Sequence, residues 1–287
     1  MSFESEKHLF GVFDGHGGGE VAKYTKSHFE ELLVQVEEYK QADYQEGLRK
    51  VFLKVDESLN NGGLEEVAKT KRDNPPQKSA LMKILTDVTK KKSAAEAAAA
   101  AGGEGGEDTK ATPAAEDSED LQLDSIGCTA NVVMVDYSTN KIFVANAGDS
   151  RCIMGKGGQV VPLSFDHKPE SEVEIARIEA AGSRVTEGRV DGHLNLTRAL
   201  GDLKFKKKEE LKAEDHPITA NPDVYEYEFS TEADFILMGC DGVWETKSNE
   251  EMCEWVYRKL EEAPDRSIAS LKSIVSDLLN ELISPNH

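Results

Sequence analysis

Three apolar runs, far apart in the chain, end on an aspartate. Phe10-Gly-Val-Phe runs into Asp14-Gly15-His16-Gly17-Gly18, Phe143-Val-Ala-Asn-Ala-Gly into Asp149-Ser150-Arg151, and Phe235-Ile-Leu-Met-Gly-Cys into Asp241-Gly242. A carboxylate at the exit of a buried strand is partly desolvated and needs a partner. One such aspartate is an ordinary turn residue. Three of them, at one edge of a sheet core, repel one another unless a cation lies between them. The repetition points to a fold in which strands remote in sequence deliver their ends to one place. All-oxygen ligation selects a hard ion, Mg²⁺ or Mn²⁺, over zinc.

The first of these endings says more. Gly15 lets a backbone carbonyl approach an ion, because no Cβ intervenes. His16 follows directly and can donate a proton to a leaving oxygen. Gly17 to Gly19 precede a helical pattern that opens near Glu20, which puts a helix N-terminus, favourable to anions, beside the site.

Outside the middle of the chain, two element types are read. Strands are expected at Leu9–Phe13, Cys128–Val135, Ile142–Asn146, Cys152–Met154, Val224–Phe229 and Phe235–Gly239. The strict alternation of Val224–Phe229 predicts one wet face. Helical spacing covers Glu20–Tyr39, Tyr44–Leu59, Glu170–Ala181 with Gly182 as its stop, Asn249–Leu260 and Ile268–Ile283. Helices cluster after the first strand and at the end, with strands between. That order predicts an α+β protein with antiparallel sheets and helices outside, rather than regular βαβ alternation.

Composition explains the middle. Ala94 to Asp124 holds nine acids against one lysine, with no aromatic and no β-branched aliphatic residue. Such a stretch cannot bury enough apolar area to offset its ordering entropy. It is expected to be disordered, within a polar and acidic insert that spans 60–124. Lysines at 90–92 and 206–208 read as solvated charge runs, or else as a nuclear signal or docking patch.

The whole chain carries 54 acidic and 34 basic residues, a formal charge of −20. That balance argues against nucleic acid as a partner, which needs clustered Lys and Arg, and against an anionic membrane surface. Cys128, Cys152, Cys240 and Cys253 form no CxxC pair, which suits a reduced protein. Neither a secretory signal nor a bilayer-length apolar run is read, so the expected location is cytoplasmic or nuclear.

Taken in order, Phe10-Gly-Val-Phe-Asp-Gly-His-Gly-Gly, Gly127-Cys-Thr-Ala, Val144-Ala-Asn-Ala-Gly-Asp-Ser-Arg, Asp166-His-Lys-Pro, Leu196-Thr-Arg-Ala-Leu-Gly-Asp and Phe235-Ile-Leu-Met-Gly-Cys-Asp-Gly-Val-Trp-Glu resemble the motif series of the type 2C metal-dependent serine/threonine phosphatases. The resemblance covers nearly the whole chain apart from the insert. It implies two antiparallel sheets packed as a sandwich, flanked by helices, with a two-metal centre at one end. It also implies hydrolysis of phosphoserine and phosphothreonine in phosphoprotein substrates by in-line attack of a water.

By the same resemblance, Asp14 bridges both metals and Gly15 offers its carbonyl to one. Asp241 ligates the other metal, Asp149 joins Asp241 at a weaker third ion, and His16 is the general acid. Arg198 is read as structural support, and 166–190 as a flap that lies beside the site.

Two family motifs are not found: an acidic ligand with a phosphate-gripping arginine ahead of the Asp-Gly-His strand, and an Asp-Asn strand after the last helix. The sandwich is therefore expected to be incomplete at both ends. This exact chain is expected to bind its ions weakly and turn over little. The alternative is a non-catalytic, phosphatase-like binding protein. Oligomeric state is left open.

Overall fold

The computed structural model describes residues 6–73, 123–228 and 233–283 of the chain. The stretch expected to be disordered, 94–124, lies outside them apart from its last two residues, as do the lysines at 90–92.

Two antiparallel sheets stack between two helical layers. The first sheet has the order β1 (Lys7–Val12), β4 (Ala130–Asp136), β5 (Lys141–Ala147), β11 (Asp223–Glu228). The second has the order β12 (Ala233–Gly239), β6 (Arg151–Lys156), β7 (Gln159–Pro162). The period-2 alternation of side chains sorts each strand between two cores. On β4 and β5, Met134, Phe143 and Ala145 face helices α1 (Glu20–Leu33) and α3 (Tyr44–Ser58) and pack with Phe29, Val51 and Phe52. Their neighbours Val133, Val135, Ile142 and Val144 face the other sheet, where they meet Cys152, Met154 and Leu163.

The second sheet repeats the scheme on its far side. Ile153 and Leu237 pack on α7 (Asn249–Glu262) and α8 (Ile268–Leu282) through Trp244, Met252, Val256 and Leu278. The α+β sandwich expected from the sequence is thus the fold. A fully buried side chain such as Phe52 anchors it, and truncation to alanine there costs about 3–5 kcal/mol.

Several expected elements changed. Leu9–Phe13 was read as a buried strand, but β1 is the edge of its sheet, and the smaller sheet does not reach over it: Phe10 is 52% exposed. The helix read as Glu20–Tyr39 stops at Leu33 and resumes as α2 (Glu37–Lys40), because Val36 adopts extended backbone (φ −72°, ψ 128°) and buries its side chain in the core. Residues 60–73, assigned to the insert, hold a π-type turn at Leu59–Gly63 and helix α4 (Leu64–Asp73), which packs on α1 with Val67 in the core. Glu226 and Glu228 are exposed, so β11 has the wet face its alternation predicts. No described helix is long and apolar enough to cross a membrane.

In the lysine run at 206–208, Lys206 is built into the fold while Lys207 and Lys208 are exposed. Lys206 pairs with Asp56 and donates to the Ala199 carbonyl, Lys207 pairs with Asp124, and Lys208 donates to the Ala181 carbonyl.

A third, small sheet positions the site. Its order is β10 (Leu200–Gly201), β3 (Gly127–Cys128), β2 (Gly15–His16), each strand two residues long. The segment 166–190 contains α5 (Glu172–Ala180), capped by Ala181 and stopped at Gly182, and the hairpin β8 (Val185–Thr186) with β9 (Arg189–Val190).

Candidate metal centre

Asp14 stands where the chain leaves β1, and Asp241 where β12 passes through Cys240 into the short helix α6 (Asp241–Trp244). The fold brings these two sequence-predicted residues together. Ligand atoms of Asp14, Asp241 and Cys240 all lie within 4.8 Å of one another.

The electrostatics match a cation site. Burial pushes the Asp14 carboxyl above its ordinary value, the charges of Asp241 and Asp149 push it further, and His16 acts the other way. A divalent ion between these oxygens relieves that repulsion, so the donor set fits the hard ion expected.

The thiol of Cys240 was not anticipated. Burial and the charge of Asp14 push it up, and sulfur is a soft donor, a poor match for a hard ion beside two carboxylates.

Strand geometry frees the Gly15 carbonyl. The Thr129 N–H donates to the Asp14 carbonyl at 2.9 Å, which makes that pair the hydrogen-bonded kind. The next pair, Gly15 with Cys128, is then the non-bonded kind, and the Gly15 carbonyl points away from β3 on the edge strand of its sheet. A Cβ on Gly15 would stand 2.7 Å from the Gly18 carbonyl oxygen, so the loop closes only on glycine.

His16 is half-buried, and its Nε2 lies 2.5 Å from Asp202 Oδ2. The expected helix N-terminus is present as α1, but its first turn already carries a buried carboxylate, Glu20.

Asp149 is buried beside this cluster and accepts from Lys168 Nζ. The two motifs interlock around it. Arg151 Nε and Nη2 donate to the two Asp166 oxygens at 2.8 and 2.7 Å, and the His167 N–H donates to the Gly148 carbonyl at 3.0 Å. The segment 166–190 is thereby tied to the strand end that carries Asp149.

Arg198 makes a second junction. Its Nη2 donates to Glu174 Oε1 at 2.6 Å and its Nη1 to Asp223 Oδ1 at 2.8 Å, while Arg177 Nη1 donates to Glu174 Oε2 at 2.8 Å. Burial opposes ionisation of Glu174, but Arg198 and Arg177 outweigh it, and its carboxyl is held down at about 2. Arg198 thus joins α5, β11 and the Arg-Ala-Leu-Gly-Asp segment, as its reading as a support implied.

Asp202 and Lys168 are the polar groups that sequence reasoning left without a role. Both sit inside motifs quoted from the sequence, but their partners are 186 and 19 residues away.

A family model described as Protein phosphatase 2C matches residues 1–95 and 60–286. "Probable protein phosphatase 2C 6" of Paramecium tetraurelia is 35% identical over 285 residues, covering 99% of this chain and 79% of the relative. "Protein phosphatase 2C 1" of the same organism is 36% identical over 279 residues, covering 97% and 77%. Among solved structures, a phosphatase from a pathogenic strain of Toxoplasma gondii aligns with a TM-score of 0.62 at 20% identity, over 97% of this chain and 80% of that one. A C. elegans sex determining protein aligns with a TM-score of 0.64 at 21% identity, and this chain spans 54% of its length. At these identities the two structures show a shared fold.

Proposed function

The chain belongs to the protein phosphatase 2C family, a family of serine/threonine phosphatases, and from that premise we propose that it removes phosphate from phosphoserine and phosphothreonine in proteins at a centre of two divalent ions, Mg²⁺ or Mn²⁺. The observation that carries the reading is the convergence of Asp14 and Asp241 with His16 one residue beyond the Gly15 carbonyl. Asp14, Asp241 and the Gly15 carbonyl would hold the ions. Bound there, divalent ions supply positive charge to a phosphate and lower the pKa of water.

The chain's own groups do the rest. His16 gives a proton to the alcohol oxygen as the P–O bond breaks. Asp149, which here pairs with Lys168, would contribute its carboxylate to a weaker third site. The segment 166–190, tied to the site through Lys168 and Arg151, would border a bound phosphoprotein.

The test is hydrolysis of a phosphothreonine peptide at millimolar Mn²⁺. Mn²⁺-dependent turnover is expected, reduced at least ~100-fold by Asp14→Asn and by Asp241→Asn. Turnover that survives both substitutions refutes the reading.

A further inference from the structure

We propose that Asp202 is the positioning residue of His16, that Gly127 is the opening through which the two meet, and that His16 in consequence presents Nδ1, not Nε2, to the substrate. The proposal rests on the phosphatase reading for the role of the ring, but the geometry that carries it is independent of that reading.

The small sheet sets the arrangement. Gly201, Gly127 and His16 lie side by side across its three strands. Neighbouring strands are ~4.8 Å apart, so groups on the outer two are about twice that distance from each other. A side chain from β2 and one from the residue after β10 can touch only by passing over the middle strand. There the chain has Gly127. A Cβ at that position would stand 2.2 Å from Asp202 Oδ2 and 2.6 Å from His16 Nε2. No other residue type leaves the pair room to form.

Asp202 is held at some expense. Its φ of 51° lies in the left-handed region, uncommon for a residue with a Cβ. Its side chain is fully buried, and Oδ1 accepts no hydrogen bond among the described residues. A buried carboxylate with one oxygen unpartnered is unfavourable unless the other makes a strong contact. That contact is the imidazole, 2.5 Å away. The backbone is fixed independently: the Asp202 N–H donates to the Ile126 carbonyl at 2.9 Å, and the Phe205 N–H to the Asp202 carbonyl at 3.0 Å. Sparsely populated backbone angles and incompletely satisfied buried charge are features that cluster at working sites.

The consequence for chemistry follows from the two ring nitrogens. With an Nε2 proton directed at Asp202, the nitrogen left for substrate is Nδ1. In the reacting complex the bond from phosphorus to the seryl or threonyl oxygen breaks, that oxygen takes the Nδ1 proton of the doubly protonated ring, and the ring is left neutral with its Nε2–H directed at Asp202. A carboxylate behind the ring both fixes this tautomer and supports the charged ring before transfer, so it acts through His16 and touches no reacting atom.

The experiment combines a spectroscopic and a kinetic readout on the full chain. In ¹⁵N-histidine-labelled protein, at a pH where the imidazole is neutral, the His16 signal, assigned by its loss in His16→Asn, is expected to show a single Nε2–H tautomer. Asp202→Ala and Gly127→Ala are expected to turn it into a mixture. With Mn²⁺, both variants should slow a phosphothreonine peptide by ~10²-fold or more, the range for a lost general acid. Hydrolysis of p-nitrophenyl phosphate, whose leaving group needs no proton, should change little. Asp202→Asn, which keeps an acceptor oxygen, should recover part of the peptide rate and serves as the reading variant if Gly127→Ala fails to fold. An Nδ1–H or mixed tautomer in the wild type overturns the proposal. So does an equal loss on both substrates, which marks a merely structural aspartate. If the wild type hydrolyses neither substrate, the phosphatase reading falls, and the tautomer signal alone decides the clamp.

Discussion

Glu174 is the residue at which the fold can be tested most sharply. It belongs to α5, in the segment beside the site, and its side chain is 2% exposed. Arg198, Arg177 and Thr197 all donate to its carboxylate. The carboxyl sits at about 2, against 4.5 for an unperturbed glutamate. At 1.36 kcal/mol per pH unit, that gap is worth about 3 kcal/mol. The figure agrees with the ~3–5 kcal/mol lost when one member of a buried ion pair is removed.

The prediction is that Glu174→Gln lowers stability by about 3 kcal/mol at pH 7, or about 6–12 °C in Tm. Because the folded value is depressed, the contribution is complete above pH 4.5 and fades as the pH falls towards 2. Urea unfolding of wild type and variant at a series of pH values measures this. The gap between the two proteins should be flat from neutrality to about pH 5 and then narrow. A loss below about 1 kcal/mol at pH 7, the size of an exposed pair, refutes the reasoning. A gap that does not narrow in acid does so as well.

Other outcomes follow from the metal centre. Asp14 is raised in the fold, so its ionisation opposes folding of the metal-free protein as the pH climbs above the ordinary value of 3.8. Asp14→Asn should therefore raise the metal-free Tm while abolishing the increase that Mn²⁺ produces in the wild type; scanning fluorimetry with and without Mn²⁺ checks both. Lys168→Met removes the cation that Asp149 holds, and calorimetry should then show an additional weak Mn²⁺ site that Asp149→Asn deletes. Among the described residues the carboxylates of Asp14 and Asp241 gather at the centre with the Gly15 carbonyl at hand, while Asp149 is engaged by Lys168. Titration of the 287-residue chain should accordingly show weak Mn²⁺ binding and slow turnover.

The α+β layering with antiparallel sheets was legible in the apolar runs, while the sandwich came from the resemblance of the motif series. Met134 and Phe143 bury against helices while Val133 and Val144 bury against the other sheet, so strands packed on both faces appear as continuous apolar runs, and their exits are where a carboxylate becomes conspicuous. Asp14 and Asp241 were legible for that reason. The pairing of His16 with Asp202 was not. It depends on three strands of two residues each, too short to carry a periodicity, and on a glycine whose importance lies in what it lacks. The same limit hid the break after Leu33: the helical spacing runs on to Tyr39, and only the demand of the core for Val36 turns the backbone aside. Lys206 was hidden in the 206–208 charge run for a related cause: its partner Asp56 lies 150 residues away, and composition alone cannot distinguish this buried ion pair from the wet surface on which Lys207 and Lys208 stand. What determines the chemistry of this centre is thus mostly long-range contact between very short elements, which is where sequence patterning carries least information.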